Sequence, residues 1–320
     1  MKKLTAILLA LTLVFAFVAC GDTAPADDTA KVYNIGIVQL VQHDALDQAT
    51  LGFKDALVEK LGDAVKFDTQ NASGDAATCT TIVDKFVNAN VDLIMANATP
   101  AVIAAKEATD TIPVVGTSVT DYASSGLVNS NEAPGGNITG ASDMNAVANQ
   151  LELVKAFAPD AKVIGIVYCS GEENSKIQAD EAKGVFEGEG YTVNLYTAAD
   201  VTDLQTVVDK AVSECDVLYE PTDNLIAANM EIVKNAAVPA GVPVICGEES
   251  MCKAGGLASY SLSYYDLGVE AGLMAYEILV NGANPAEMPI KIFGADELTL
   301  ILNEEVMNEM NITLPASLQK

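Results

Sequence analysis

The chain has no arginine and no tryptophan, and His43 is its only histidine. Each absence removes a class of chemistry. Without guanidinium groups, no carboxylate or phosphate can be gripped in bidentate fashion. With one histidine, a Ser-His-Asp relay would have to run through His43, and a His-rich metal site cannot be built. Basic residues are scarce too: all 17 are lysines, set against 44 acidic residues, for a formal net charge of −27. Such a surface repels nucleic acid and anionic lipid headgroups, so neither is an expected partner. Any anionic group this protein holds must rest on hydroxyls, backbone N–H groups or lysine.

What is present begins with a polarised N-terminus. Met1-Lys2-Lys3 precedes an almost unbroken apolar run from Leu4 to Ala19, and Cys20 follows. At about 15 residues the run is shorter than the roughly 20 a spanning helix needs, and it has the layout of a bacterial export signal. Cys20 after Ala19 resembles a lipobox, with Phe17 where that pattern usually has Leu; an ordinary secretory signal with a chance cysteine is the alternative. Residues 1–20 are read as a lipoprotein signal peptide, Cys20 as the lipid attachment site, and 21–30 (GDTAPADDTA) as a flexible tether. The expected location is extracytoplasmic, lipid-anchored to the outer face of the bacterial cell membrane. Loss of Lys2 and Lys3 takes the net charge from −27 to −29, which keeps the tethered body off the anionic surface.

Beyond Cys20 stand Cys79, Cys169, Cys215, Cys246 and Cys252, with no C-x-x-C pair. An odd number leaves at least one thiol unpaired. Cys246 and Cys252 are close enough for a loop bridge, but buried free thiols are the expectation, since most sit at apolar strand ends.

At 320 residues, half of them apolar, the chain can fill two domains. From Lys31 onward, short apolar runs alternate with segments of helical period. Strands are expected near Tyr33–Leu40, Val65–Thr69, Leu93–Ala98 and Val114–Val119, with helices near Ala45–Leu61, Ala76–Asn88 and Pro100–Ala108. That order implies a parallel sheet covered on both faces. It then recurs. Ile35-Gly36-Ile37-Val38 is echoed by Ile164-Gly165-Ile166-Val167, Asp92-Leu93-Ile94 by Asp216-Val217-Leu218, and Pro113-Val114-Val115 by Pro243-Val244-Ile245. Ile35 to Thr99 spans 64 positions and Ile164 to Thr222 spans 58, so two similar α/β lobes are expected. A third segment, with a helix near Leu267–Val280, a strand near Leu298–Leu302 and a helix near Glu304–Met310, crosses back between them. Gly135-Gly136-Asn137-Ile138-Thr139-Gly140 reads as the first crossing, or hinge. The lobes are bounded at 31–141 plus 265–290 and at 142–264 plus 291–320.

Ligands in open parallel sheets bind beyond the carboxyl ends of the strands, so the residues there are the candidates. They are Gln42, His43, Thr99 and Ser118 in the first lobe, and Asn174, Ser175, Thr222, Asp223, Asn224 and Glu248 in the second. Thr99-Pro100 suits a helix start: Thr99 either simply caps the helix or opens a seat of free N–H groups for a carboxylate. Asp223 either caps the matching helix or meets a ligand ammonium. Read as a pair, the two suggest a zwitterion such as an amino acid. His43 is a helix-start or surface residue if it is not functional. Tyr264, in a cluster with Met251, Tyr260 and Tyr265, either stacks on the ligand or packs the hinge.

The landmarks His43-Asp44-Ala45-Leu46-Asp47, Ala98-Thr99-Pro100-Ala101, Pro134 to Gly140, Pro221-Thr222-Asp223-Asn224, and Gly255-Gly256-Leu257-Ala258 leading to Tyr264-Tyr265-Asp266-Leu267-Gly268 follow one another along the chain. Together, over about Lys31 to Pro315, they resemble the solute-binding lipoproteins of ABC importers with the type I periplasmic-binding fold, in the tryptophan and aromatic amino-acid group. The resemblance implies two doubly wound parallel-sheet lobes joined by a multi-strand hinge, closing on a small ligand for delivery to an ABC permease. It implies no cofactor and no metal, and a monomer is expected. Gly247-Glu248-Glu249-Ser250-Met251-Cys252 departs from the pattern, which tends to have Gly at one of its last two positions. The rival readings are a sugar- or nucleoside-binding receptor, a sensor of the same fold, and a two-lobed racemase-like enzyme. The enzyme would need a thiol at each strand end, where this chain has Thr99 and Thr222.

Overall fold

The computed structural model describes residues 31–319 except Asn145. The signal peptide 1–20, its Cys20 and the tether 21–30 lie outside the described residues.

Two sheets are built in succession. The first takes β1 (Tyr33–Gln39), α1 (Asp44–Leu61), β2 (Val65–Asn71), α2 (Ala76–Asn88), β3 (Leu93–Asn97), α3 (Thr99–Ala108), β4 (Val114–Val119) and β5 (Ile138–Ser142), with strand order β2-β1-β3-β4-β5. The second follows with α4 (Val147–Phe157), β6 (Val163–Cys169), α5 (Glu173–Gly188), β7 (Thr192–Ala198), α6 (Val201–Glu214), β8 (Val217–Glu220), α7 (Asn224–Ala227), α8 (Met230–Ala240), β9 (Val244–Cys246), α9 (Glu249–Ala254) and β10 (Ala258–Ser261). Then come α10 (Tyr264–Asn281), β11 (Thr299–Leu302) and α11 (Glu304–Glu309), and the second sheet runs β11-β10-β9-β8-β6-β7. Reading β6 for β1, β7 for β2 and onward to β10 for β5, the two orders are the same. The recurrence in the sequence is thus a recurrence of topology. All pairings are parallel except β10 with β11.

Central strands β3 and β4 are buried along their whole length, as expected of apolar runs covered on both faces. One face of the first sheet packs on α2 and α3 through Val38, Val83, Phe86 and Val102. The other face packs on α1 and α10 through Ile37, Phe53, Leu57 and Ala271. Helix starts are fixed by short acceptor side chains: Asp75 Oδ1 takes Ala77 N–H at 2.9 Å and Asp200 Oδ1 takes Thr202 N–H at 2.7 Å.

The chain crosses between lobes three times: after β5, between β10 and α10, and after Lys291, which still pairs with Ala141 beside β5. The first crossing differs from the expectation. Gly135–Gly140 is not the hinge; Ile138–Ser142 forms a fifth strand of the first sheet, and the chain leaves that sheet at Asp143. The turn residues before it mark the entry to a strand.

All five described cysteines are buried free thiols, Cys246 and Cys252 included. Among the described residues no helix is long and apolar enough to cross a membrane, and no cluster of His, Cys, Asp and Glu could hold a metal.

Candidate functional site

The carboxyl ends of the strands in both lobes face one another across a narrow cavity of about 10 Å³, room for about one water molecule. His43, Leu46, Ser118 and Thr120 wall it from the first lobe; Asn174, Thr222, Asp223, Asn224, Ala227 and Glu248 wall it from the second; Asp143 and Tyr264 come from the crossings. Hydrogen bonds join the lobes across it. His43 Nε2 lies 3.3 Å from Asn224 Oδ1, Thr120 Oγ1 lies 3.4 Å from Thr222 Oγ1, and Gln178 Nε2 donates to Thr120 Oγ1 at 3.3 Å. The lobes are closed.

The wall is acidic and holds no lysine. Asp143 is 4% exposed; its Oδ2 accepts the Tyr264 hydroxyl at 2.7 Å, its Oδ1 has no partner of good hydrogen-bond geometry, and the Thr120 hydroxyl lies near enough to help lower the carboxyl. Burial pushes this carboxyl up to about 6, against the lowering effect of the Tyr264 hydrogen bond. Glu248 caps α9, with Met251 N–H on Oε1 at 2.7 Å and Ser250 N–H on Oε2 at 2.5 Å; burial pushes it up to about 7. Asp223 caps α7 through Ile226 N–H on Oδ1 at 2.9 Å, and its Oδ2 takes Cys169 N–H at 2.6 Å. Both of its oxygens therefore serve the backbone, and its charge stays in the wall. Burial raises it and the adjoining Glu172 together, each disfavouring the other's ionisation.

Glu172 organises the amides around it. Its Oε2 takes the side-chain N–H groups of Asn224 at 2.5 Å and Asn174 at 3.3 Å, so the oxygens of both amides turn the other way. Asn224 Oδ1 meets His43. Asn174 Oδ1 is buried with no partner. Asn224 accepts, so His43 donates from Nε2, and its buried Nδ1 is an unpartnered acceptor. Burial lowers the His43 pKa and favours this neutral imidazole.

Two rim residues have positive φ without being glycine. Ala98, before α3, sits at φ 91°, and Ser118, at the bulge in β4, sits at φ 55°. Strain of this kind persists where the surroundings over-determine the backbone, and Ser118 carries an unpartnered buried hydroxyl in the cavity wall.

Of the residues singled out in the sequence, His43, Ser118, Asn174, Thr222, Asp223, Asn224, Glu248 and Tyr264 meet at this cavity. Three do not. Thr99 is the first residue of α3 rather than its cap; Ala98 holds the cap position, and the buried Thr99 hydroxyl, without a partner, stands off the cavity. Gln42 is exposed and reaches Asp47 Oδ2 at 3.5 Å, because β1 ends at Gln39 and α1 starts only at Asp44. Ser175 is fully buried behind Asn174, whose Nδ2 donates to its Oγ at 3.2 Å. The sequence reading missed Leu46, Thr120, Asp143 and Ala227. Asp143 was within reach of it: with Ile138–Ser142 read as a strand, the rule of strand ends points to the next residue.

The arrangement can hold a dipolar molecule; it does not provide a nucleophile with a base. Cys169, whose N–H holds the cavity-lining Asp223, has its thiol pushed up to about 12 by burial.

Known proteins agree with this geometry. The family model described as ABC transporter substrate binding protein matches residues 34–320. A tyrosine-binding protein of Clostridioides difficile is 40% identical over 288 residues, which are 89% of this chain and 83% of the relative. A Streptococcus pneumonia protein solved in complex with L-Trp is 35% identical, with a TM-score of 0.86 over 90% of this chain and 97% of that one. The ligand-free, open structure of a substrate-binding protein with adhesive properties from Clostridium difficile is 38% identical over the same shares, with a TM-score of 0.69. The better match to the ligand complex than to the open structure accords with the closed lobes seen in this chain. The fold is the type I periplasmic-binding fold, the relatives are solute-binding proteins rather than enzymes, and the chain belongs to the family of ABC transporter substrate-binding proteins.

Proposed function

We propose that this protein captures an aromatic amino acid, tyrosine or tryptophan, outside the cytoplasmic membrane and delivers it to an ABC permease. One observation carries the ligand class: an acid-walled cavity without a lysine, whose one histidine is neutral, contains two buried acceptor oxygens without partners of good geometry, Asp143 Oδ1 and Asn174 Oδ1. An ammonium group, with three donors and a positive charge, satisfies both. The hydroxyls of Ser118, Thr120 and Thr222 supply the donors a carboxylate needs. Leu46, Ala227 and Tyr264 supply apolar surface for a side chain. The names of the relatives support an aromatic one.

The moving lobes are 31–142 with 264–291 and 143–263 with 292–320, within a residue of the bounds expected from the sequence; the chain acts as a monomer, and Cys20 carries its lipid. A thermal-shift screen of the twenty amino acids tests the ligand. L-tyrosine or L-tryptophan at a hundred times its Kd adds about 2.7 kcal/mol to the folded state and raises the melting point by several degrees. A shift given by sugars and by no amino acid overturns the reading. Mass spectrometry of the exported protein tests the anchor: a mature chain starting at diacylated Cys20 is expected, and an unmodified N-terminus refutes it.

A further inference from the structure

The remaining question is what holds the carboxylate, in a cavity whose wall has no lysine and from which Thr99 stands back. The answer lies with a residue the sequence reading did not single out. Gln178, on α5 and 3% exposed, accepts the backbone N–H of Thr222 on Oε1 at 2.8 Å. A backbone N–H can only donate, so the orientation of this amide is fixed and Nε2 is the atom that faces the hydroxyls. Nε2 donates to Thr222 Oγ1 at 2.5 Å and to Thr120 Oγ1 at 3.3 Å. Each hydroxyl thus uses a lone pair on Gln178 and has its own proton left to give. Both line the cavity, one from each lobe.

We propose that Gln178 is a positioning residue that turns the Thr120 and Thr222 hydroxyls into paired donors for the ligand carboxylate, a seat completed only when the lobes close. The inference rests on the amino-acid reading above and deepens it. The two hydroxyls face each other at 3.4 Å, and the Asp143 carboxylate, on which the Thr120 hydroxyl already acts, competes for the Thr120 proton. Once an ammonium occupies Asp143, that competition ends and both protons are available. Closure and carboxylate recognition are then the same event, because neither lobe alone presents both donors. An amine without a carboxylate gains nothing from the pair.

The test compares L-tyrosine with tyramine, which keeps the ring and the ammonium and lacks the carboxylate. Calorimetry is run on the wild type and on Gln178→Glu, Thr120→Val and Thr120→Ser. Glu at 178 presents an acceptor to the hydroxyls and draws their protons away from the cavity. L-tyrosine affinity should fall roughly ten- to a hundredfold in Gln178→Glu and Thr120→Val, the range for losing a hydrogen bond to a charged group. Tyramine affinity should change by less than about threefold, and Thr120→Ser should restore L-tyrosine binding. If both ligands weaken equally, Gln178 only packs the loop and the proposal fails; if neither changes, it also fails. Thr120→Val lies in the other lobe and decides the matter should Gln178→Glu not fold. A wild type that binds neither tyrosine nor tryptophan, with or without carboxylate, overturns the ligand class and the seat with it.

Discussion

Asp143→Asn should yield a protein that is more stable without ligand than the wild type and that a given ligand concentration stabilises less. The two effects have one cause. In the folded state this carboxyl is buried and held at about 6, against 3.8 in an exposed peptide. The folded state therefore binds the proton more readily than the unfolded chain does. Stability from this group is fully present below about pH 3.8 and declines as pH rises towards 6. By pH 8 the ionised group costs the ligand-free closed form up to about 3 kcal/mol, taking 1.36 kcal/mol per pKa unit. Asn accepts the same Tyr264 hydroxyl without the charge. Urea unfolding should then place the variant above the wild type at pH 8 and level with it at pH 4. Part of the gain should appear as closure, since buried acids without a cation push the empty lobes apart, and X-ray scattering of the ligand-free variant should show a smaller radius. Binding changes the other way, because the ammonium loses its charged partner: about 1.5–3 kcal/mol, or roughly ten- to a hundredfold in Kd. For the same reason, wild-type affinity should fall on acidification from pH 8 through about 7 and 6, as Glu248 and then Asp143 take up protons. A variant that is less stable than wild type at pH 8, or one that binds L-tyrosine undiminished, would remove Asp143 from the ammonium seat.

That residue also marks the limit of what the sequence discloses. The duplicated lobe was legible because its signal is local: apolar runs of strand length, helical periods between them, and the same short strings in the same order. The rim was legible for a similar reason, since parallel strands put their carboxyl ends at the cleft: Ser118 lies at the end of β4, Thr222 and Glu248 come two residues after β8 and β9, and His43 sits in the loop after β1. Asp143 follows a strand as well, but a strand of five residues hidden behind the turn chemistry of Gly135–Gly136. Thr99 misled because Thr before Pro is a favourable start to a helix, whereas the cap is held by an alanine at φ 91°, a conformation no propensity would assign to it. What stays out of reach is the direction of the buried amides. Gln178 and Thr222 are 44 positions apart, and Asn224 and Glu172 are 52 apart. Which oxygen is left facing the ligand follows from those long-range pairings, and no spacing rule encodes them.

The second large effect lies away from the cavity, where α1 and α10 cross. A Cβ on Gly268 would stand 2.0 Å from Ala49 O, and one on Gly52 would stand 2.1 Å from Tyr265 O. Both obstacles are backbone carbonyls, so no rotamer change relieves them and the helices must move apart. Between them lie Phe53, Leu57, Ala271 and Ala275, packed on the sheet face below, and their contacts loosen when the axes separate. Gly268→Ala should therefore destabilise by about 1–3 kcal/mol although it adds a single methyl and improves helix propensity. Gly184, exposed on α5 with nothing within 4 Å of its Cβ position, is the matched control. There the same substitution should stabilise by roughly 0.5–1 kcal/mol. The crossing also bears on binding: α1 begins next to His43 and α10 begins at Tyr264, so displacing either helix moves a cavity wall. Gly268→Ala should weaken L-tyrosine binding while Gly184→Ala leaves it unchanged. Equal melting points for the two variants would mean the helices can part without loss, and the close crossing would not be what sets the site.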